Sequence, residues 1–502
     1  MEMRSGDGRL PVAAFLYELE RSVVMRYVKR MSAALICALL LVVSVSTCNA
    51  PAVNRPLHIL IDIPTEPWFI SSKKITEGLK DYLQYVYDMD PEDVEVEFLP
   101  EEESERSVRI SALRTAIISG EGPDVFVVSS ELPAGQERKD FLKTANADSP
   151  FHNIMAPRER LFQDPQSAME KGLFLPLDDY LAKAQFFDAG VIEPAVLAAG
   201  QTDEGQMLIP LAFTFPTAIF QEGIAGRSNA EQNAYGAAAW NQFPDLFGQI
   251  VDYKAETLLF SEAELLETVR DALAKGDIEP GSINGDADND MDLRLFFFPE
   301  KTEGLVAVCD LNHYDLRYWQ PTYFSGEWQE GAISEKIVPI KNRESGVTAQ
   351  ITAYIGINSN TPRPKEAFQV LDLLTRREAM GNIPVREDPK NLLPYHVLFL
   401  CYDVYGVPSR NDLLGSDYGG SFGYRQSYVG QLTGKTEFIA SPVTFDIYKN
   451  LRAQVTTARF YGELDWELQE MFNACREAES DEEIEKIVSK AYDIMLMILA
   501  ES

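Results

Sequence analysis

The sequence predicts an α/β protein in which helices cover a parallel sheet. Between residues 57 and 128 the pattern runs strand, helix, strand, helix, strand, which is typical of such a sheet. The composition is that of a packed protein, since 45% of the residues are hydrophobic and 11% are aromatic. The 502 residues are enough for two domains, because single cores rarely grow past roughly 250 residues.

The first five elements follow from local patterns of apolar residues. Strands show short apolar runs or strict alternation, and helices show apolar residues three or four positions apart. The predicted elements are a strand at 57–63, a helix from Ile75 to Val86, a strand at 94–98, a helix from Val108 to Ile117 and a strand at 124–128. Ligands of such sheets bind beyond the carboxyl ends of the strands, which here are residues 64–68 and 129–131.

The rest of the chain continues to alternate between strands and helices. A closing helix is indicated by one apolar stripe between Ile484 and Leu499. No internal repeat of 20 to 50 residues is present. The other predicted elements are a short helix at 178–180, a strand at 207–212, a helical region from Trp240 to Lys275, strands at 305–308, 336–340 and 347–357, and a helix from Lys365 to Arg376.

The charge and the reactive residues exclude several classes of function. The 78 acidic residues exceed the 45 basic ones and give a net charge of -33, which repels phosphate backbones and argues against nucleic acid as a partner. Five widely spaced cysteines and four histidines form no disulfide framework, zinc motif or nucleophile triad. The acidic string at 284–292 resembles a calcium loop but has Met291 where glycine is required, so we expect a flexible loop. We therefore expect no metal and no cofactor.

The N-terminus reads as an export signal. Three basic residues, Arg26, Lys29 and Arg30, precede an apolar run at 32–46 that is too short to span a membrane. The run ends in VSTC, which resembles a bacterial lipobox with Cys48 as the lipidated residue. Residues 1–47 would then be the signal peptide. Four acidic residues within 1–24 are unusual in a signal sequence and favour a translation start at Met25. The alternative is ordinary cleavage near residue 50 and free secretion.

Six short segments follow one another along residues 55–390. They are ISALRTAIISGEGPDVF at 110–126, GLFLPLDDY at 172–180, IPLA at 209–212, AWNQFP at 239–244, AYIGINSN at 353–360 with PKEA at 364–367, and NIPVR at 382–386. In this order they resemble segments of the extracellular solute-binding proteins of ABC importers, of the maltose-binding-protein-like family 1 type. Each segment alone is short, and the resemblance rests on all six occurring in the order of the family.

This resemblance implies a two-lobed periplasmic-binding-protein type II fold, with a hinge and a ligand cleft between the lobes. It places lobe one at 55–212 and 337–388, and lobe two at 216–334 and 395–502. Ligand would contact both lobes only in the closed state, so that binding selects closure and the importer recognises the closed shape.

The resemblance also indicates which residues contact the ligand in lobe one. In sugar-binding members the residues after the third strand reach ligand hydroxyls, and here these are Ser129 and Glu131. Trp68 could stack on a sugar ring, or pack between strand and helix. Thr214 and Phe215 lie where the family has its first crossover between lobes. The alternative for Glu131 is a solvated loop carboxylate.

In lobe two the candidate ligand-binding residues are Asp310, Tyr314 and Trp466. The first two follow a strand that the family uses for an aromatic platform, and Trp466 corresponds to a later platform or packs at the surface. The implied function is a non-enzymatic, monomeric receptor, lipid-anchored on the extracellular face of the membrane. It would deliver a sugar or oligosaccharide to ABC permease subunits. The alternatives are a secreted carbohydrate-active enzyme and a sensor subunit that presents ligand to a membrane kinase.

Overall fold

The computed structural model describes most of the two predicted lobes. The described residues are 55–63, 72–100, 102–129, 159–221, 232, 234–236, 238–239, 242–275, 296–297, 305–310, 322–324, 327–329, 335–377, 406–413 and 449–501. The signal segment with Cys48 and the acidic string at 284–292 lie outside them.

A seven-stranded mixed sheet forms the first unit. The strand order is β16, β6, β15, β3, β1, β2. Strand β17 pairs with residues 348–351 of β15, whereas β3 pairs with residues 353–357 of the same strand. Strands β1, β2 and β3 are parallel, and β15 runs antiparallel between β3 and β6. The ranges are β1 Leu57–Asp62, β2 Val94–Phe98, β3 Val125–Ser129, β6 Leu208–Thr214, β15 Thr348–Ile357, β16 Val407–Pro408 and β17 Thr457–Phe460.

A second sheet has four strands in the order β10, β11, β7, β14, and three short hairpins complete the strands. Its strands are β7 Pro216–Gln221, β10 Phe296–Phe297, β11 Leu305–Asp310 and β14 Glu335–Pro339. The hairpins are β4 Gln201–Thr202 with β5 Gly205–Gln206, β8 Val251–Asp252 with β9 Thr257–Leu258, and β12 Thr322–Phe324 with β13 Glu327–Gln329. The two sheets confirm the predicted α/β class.

Nine helices with bounds inside the described ranges pack around these sheets, and further helical residues occur at 234–236 and 449–452. The nine helices are α1 Ser72–Tyr87, α2 Glu103–Ile118, α3 Pro165–Glu170, α4 Asp178–Leu181, α5 Pro194–Ala198, α6 Glu262–Lys275, α7 Pro364–Leu374, α8 Glu463–Arg476 and α9 Asp481–Glu501. The first sheet is the centre of one large apolar core, which we call the first core. Helices α6, α8 and α9 with residues 243–251 form the second core.

The predicted helical region from Trp240 to Lys275 is wrong for its first half. Glu262–Lys275 is an α-helix, whereas residues 243–246 form a 3-10 turn and residues 251–258 form a hairpin. Residues 240 and 241 lie outside the described residues. A capping box begins the helix, because Ser261 N donates to Glu264 Oε2 at 2.7 Å and Glu264 N donates to Ser261 Oγ at 3.3 Å. The leucines at 258 and 259 therefore precede the helix instead of extending its apolar face.

The chain passes between the two sheets at two places, and at a third crossing it passes from the first sheet to the second core. Phe215 alone separates β6 from β7, residues 340–347 separate β14 from β15, and residues 461–462 separate β17 from α8. The resemblance places residues 395–502 in lobe two and residues 337–388 in lobe one, and these lobe boundaries stay predictions. In the structure β16 and β17 pair within the first sheet, and β14 pairs within the second.

The edge strand β2 carries a carboxylate with strong hydrogen-bond partners. Arg109 Nε and Nη2 donate to Glu97 Oε1 and Oε2 at 2.5 and 2.6 Å, and His58 Nε2 lies 2.8 Å from Oε2. Burial raises the pKa of Glu97, but the bonds from Arg109 and His58 outweigh burial and lower the pKa to about 2.

We expect Glu97→Gln to remove a pH-dependent part of the stability. Because folding lowers the pKa of Glu97 from 4.5 to about 2, its contribution is complete above pH 4.5 and is lost as the pH falls toward 2. Urea midpoints should therefore differ between wild type and Glu97→Gln at pH 6, and the difference should shrink below pH 4.5. The exposed Glu95 on the same strand gives the control, Glu95→Gln. A difference that is the same at pH 3 and pH 6 would contradict the assignment.

Candidate functional site

The first two predicted ligand segments begin side by side at one edge of the first sheet. Asp62 pairs with Val128 in the parallel register of β1 and β3, and Ser129 ends β3. Ser129 Oγ donates to the carbonyl oxygen of Asp62 at 3.0 Å. Trp68 and Glu131, which follow these strand ends, lie outside the described residues. The structure thus places the starting points of both segments together, and their ligand contacts stay predictions.

A buried ion pair holds this edge of the sheet. Arg106 Nη2 lies 2.7 Å from Asp62 Oδ1 and 2.8 Å from Oδ2, and both side chains are almost fully buried. Arg106 also donates from Nε to the carbonyl oxygen of Glu159 at 2.7 Å. One guanidinium therefore fixes the end of β1 against the segment that leads into α3. Sequence reasoning missed Arg106, although it falls on the buried stripe of α2 with Ile110, Leu113 and Ile117.

Thr214 and Phe215 lie at the first crossing, as the resemblance predicts. Thr214 ends β6 and pairs with Gln350 of β15, and Phe215 is the single residue before β7. Both side chains are fully buried, and the Phe215 ring stacks on Phe213 with centroids 6.2 Å apart. Phe215 thus packs into the first core in this conformation. Its contact with ligand stays a prediction.

Asp310 lies beside the same crossing in the second sheet. It is the last residue of β11 and pairs with Pro216, the first residue of β7. Along β15, Ala353 pairs with Ser129 and Gln350 pairs with Thr214. Three residues of strand correspond to roughly 10 Å. Because β3 and β6 lie on opposite sides of β15, about 10 Å apart, the backbones at the two strand ends are roughly 14 Å apart. Tyr314 lies outside the described residues.

Trp466 lies in the first turn of α8, just after the third crossing. It is half-buried, and the guanidinium carbon of Arg160 lies 5.6 Å from the centroid of its ring. Arg160 Nη1 also donates to the carbonyl oxygen of Tyr461 at 3.2 Å. A cation near the ring is attracted by the π electrons of the indole. A stacked sugar would therefore have to use the face of the ring away from Arg160.

Polar side chains on β15 are a feature that the sequence reasoning did not single out. Thr348, Gln350 and Thr352 alternate with apolar residues and are all fully buried. Gln350 Nε2 donates to Asp245 Oδ1 at 2.5 Å, and Tyr461 OH donates to the same oxygen at 2.8 Å. A strand buried on both faces is normally a continuous apolar run. The alternation in TAQIT could therefore have indicated buried polar partners.

The described residues contain no group of three or more histidine, cysteine, aspartate or glutamate side chains able to hold a metal ion. None of the helices described is both long and apolar enough to cross a membrane. What the described site offers chemically is hydrogen-bonding groups at the junction between the two sheets and the aromatic ring of Trp466 at the junction between β17 and α8.

No family model and no curated protein matches this chain. It is similar to an extracellular solute-binding protein family 1 structure from Alicyclobacillus acidocaldarius, at 14% identity and TM-score 0.47, covering 89% of this chain and 100% of that one. An ABC substrate-binding protein from Listeria monocytogenes in complex with cycloalternan matches at 12% identity and TM-score 0.47, over 89% and 99%. The sugar-binding protein MalE from Xanthomonas citri matches at 10% identity and TM-score 0.48, over 88% and 97%. These three structures are a solute-binding, a substrate-binding and a sugar-binding protein.

Proposed function

We propose that this protein is an extracellular solute receptor that closes two lobes over a sugar or oligosaccharide and delivers it to an ABC importer. The observation that carries the proposal is the pair of adjacent crossings between the sheets. The chain leaves the first sheet at Phe215 and returns to it through residues 340–347. The two crossings are adjacent, because Ile340 N donates to the carbonyl oxygen of Pro216 at 2.9 Å. A narrow connection of this kind permits hinge closure around a ligand.

A sugar suits the proposed lining for chemical reasons. A carboxylate such as Glu131 can accept hydrogen bonds from two neighbouring hydroxyls of one ring. Trp68 and Trp466 offer apolar ring faces for the C–H groups of a pyranose. Asp310 and Tyr314 would add polar contacts from the second lobe. The proteins named above as similar include a complex with cycloalternan and a sugar-binding protein, which supports the same class of ligand.

A thermal-shift screen against mono- and oligosaccharides tests the proposal. A ligand present at 100 times its dissociation constant stabilises the folded protein by about 2.7 kcal/mol, so a cognate sugar should raise the melting temperature measurably. Glu131→Ala should then weaken binding by about 1 to 3 kcal/mol, because ligand hydroxyls lose a buried partner. Asp288→Ala in the acidic string is the control and should bind normally. If no sugar in the library raises the melting temperature, or if a reaction product of the sugar accumulates in proportion to added protein, the proposed receptor function is wrong.

We also propose that Cys48 carries the lipid that holds the receptor at the membrane. Cys48→Ala should release the protein from the membrane fraction into the medium, since one cysteine is the only acceptor for the lipid at this motif. Immunoblots of cell and medium fractions measure this directly. Ala50→Ser is the control, because it alters the alternative cleavage region and leaves Cys48 in place. Unchanged retention of Cys48→Ala would contradict the lipid anchor.

A further inference from the structure

The segment 242–249 lies between the first sheet and the second core and contacts both. Its apolar side chains Phe243, Leu246 and Phe247 are fully buried in the second core. The Phe243 ring stacks on Phe472 of α8 with centroids 4.4 Å apart. Phe243 N also donates to Gln469 Oε1 of the same helix at 2.8 Å. One side of this segment is therefore an integral part of the second core.

The polar groups of the same segment are bonded to strands of the first sheet. Gln350 of β15 donates to Asp245 Oδ1 at 2.5 Å, and Thr348 Oγ1 of β15 donates to the carbonyl oxygen of Phe247 at 2.7 Å. Gln249 Nε2 donates in turn to the carbonyl oxygen of Ala458 in β17 at 3.1 Å. Hydrogen bonds between buried groups are costly to break, because each group then loses its partner away from water.

The residues around the third crossing add further bonds to the segment. Arg459 Nη2 donates to the carbonyl oxygen of Pro244 at 2.8 Å. The Tyr461 hydroxyl oxygen lies 2.5 Å from Gln242 Oε1 and 2.8 Å from Asp245 Oδ1, and its one proton is shared between these two acceptors. Tyr461 is fully buried and belongs to the two-residue link between β17 and α8. The link that joins the sheet to the helix is thus itself fixed to 242–249.

The link is also fixed to the first turn of α8. Arg459 Nη1 is paired with Asp465 Oδ1, and both side chains are 2% exposed. Gly462 N donates to Asp465 Oδ2 at 2.8 Å. A Cβ added at Gly462 would lie 2.7 Å from Asp164 Oδ2, which is closer than real Cβ atoms come. A side chain at position 462 would therefore require Asp164 to shift.

We infer that residues 242–249 are a brace that fixes the second core to β15 and β17 of the first sheet. The brace makes the two cores unfold as one cooperative unit. The movement that remains possible is a rotation of one core against the other about the braced side. In closure, which rests on the proposed function, the axis passes beside the brace and the brace sets the resting angle between the cores.

Hydrogen exchange of the ligand-free, full-length protein at increasing urea tests the brace. Peptides from residues 348–357 of β15 report on the first core, and peptides from residues 463–476 of α8 report on the second. The wild type should give one shared urea midpoint for both sets. The double variant Gln350→Leu/Tyr461→Phe removes two donors to Asp245 while keeping side chains of similar size. We expect the midpoints of the two sets to separate.

Arg452→Met is the matched control. Arg452 is also fully buried, but its Nη1 and Nη2 donate to the carbonyl oxygens of Pro408 and Ser409, within the first core. This variant should lower the shared midpoint and keep the two sets together. Separate midpoints in the wild type, or one shared midpoint in the double variant, would overturn the brace. If the double variant does not fold, Gln249→Ala carries the same test with the bond to Ala458 removed.

X-ray scattering without ligand supplies the second readout. The radius of gyration should be larger for the double variant than for wild type and for Arg452→Met, because an unfixed second core samples wider angles. Equal radii would overturn the role of the brace in setting the resting angle. Both experiments omit sugar. If the midpoints separate in the double variant and the sugar screen is negative, the brace is therefore supported and the receptor function is contradicted.

Discussion

Arg106→Met should lower the free energy of unfolding by about 3 to 5 kcal/mol, which is the range for breaking a buried ion pair from one side. The Arg106 and Asp62 side chains are 4% and 6% exposed, so the carboxylate of Asp62 would stay buried after losing the guanidinium of Arg106. The variant also removes the donor to the Glu159 carbonyl oxygen. Urea denaturation at neutral pH measures the loss.

Two further variants show whether the buried charge is the cause. Asp62→Leu combined with Arg106→Met replaces both members by apolar groups and should recover much of the loss. Arg270→Met removes an arginine that pairs with Asp481 and Glu485 at the surface, and it should change stability little. If Asp62→Leu/Arg106→Met is as unstable as Arg106→Met alone, then packing at Arg106, and not the charge on Asp62, determines the stability of this edge of the sheet.

The first sheet could be predicted well where the pattern was local. The alternation VEVEF marks β2 as Val94–Phe98, the bounds that the structure has. The closing helix was also clear, since Ile487, Val488, Ala491, Met495 and Leu499 of its predicted stripe are buried. Such elements are visible in sequence because burial of one face repeats at the period of the element itself.

The sheet to which each strand belongs could not be predicted from local sequence patterns. β17 is only four residues long, and Thr457 pairs with Thr348, more than a hundred positions earlier in the chain. No local pattern tells which sheet will take such a strand. The resemblance therefore placed β16 and β17 with lobe two, and only tertiary pairing puts them in the first sheet.

The candidate site shows the same division between local and distant information. Ser129 and Thr214 were identified because they end predicted strands, and the structure has them at the ends of β3 and β6. Asp245 and Tyr461 were missed because the hydrogen-bond partner of each lies more than 100 residues away along the chain. Gln350 could have been noticed as a polar residue in a buried strand, but the sequence alone does not name its acceptor.

Phe472→Ala should cost about 3 to 5 kcal/mol, the usual range for removing a buried phenylalanine ring. Phe472 and Phe243 are both fully buried and their rings are stacked 7° from parallel. The substitution leaves a cavity between α8 and residues 242–249, and Phe243 loses its stacking partner. Chemical denaturation followed by circular dichroism measures the change in stability.

Cys475→Ala is the control on the same helix, because Cys475 is 2% exposed in the same core and the change removes a single heavy atom. Its effect should be much smaller than that of Phe472→Ala. A loss below about 1.5 kcal/mol for Phe472→Ala would contradict tight packing at this contact, since even Ile→Val in a core reaches that value. Because Phe243 belongs to 242–249, the full loss should lower the urea midpoint of β15 peptides together with that of α8 peptides. A midpoint that falls for α8 alone would show that the second core is packed as described but does not transmit its stability to the first sheet.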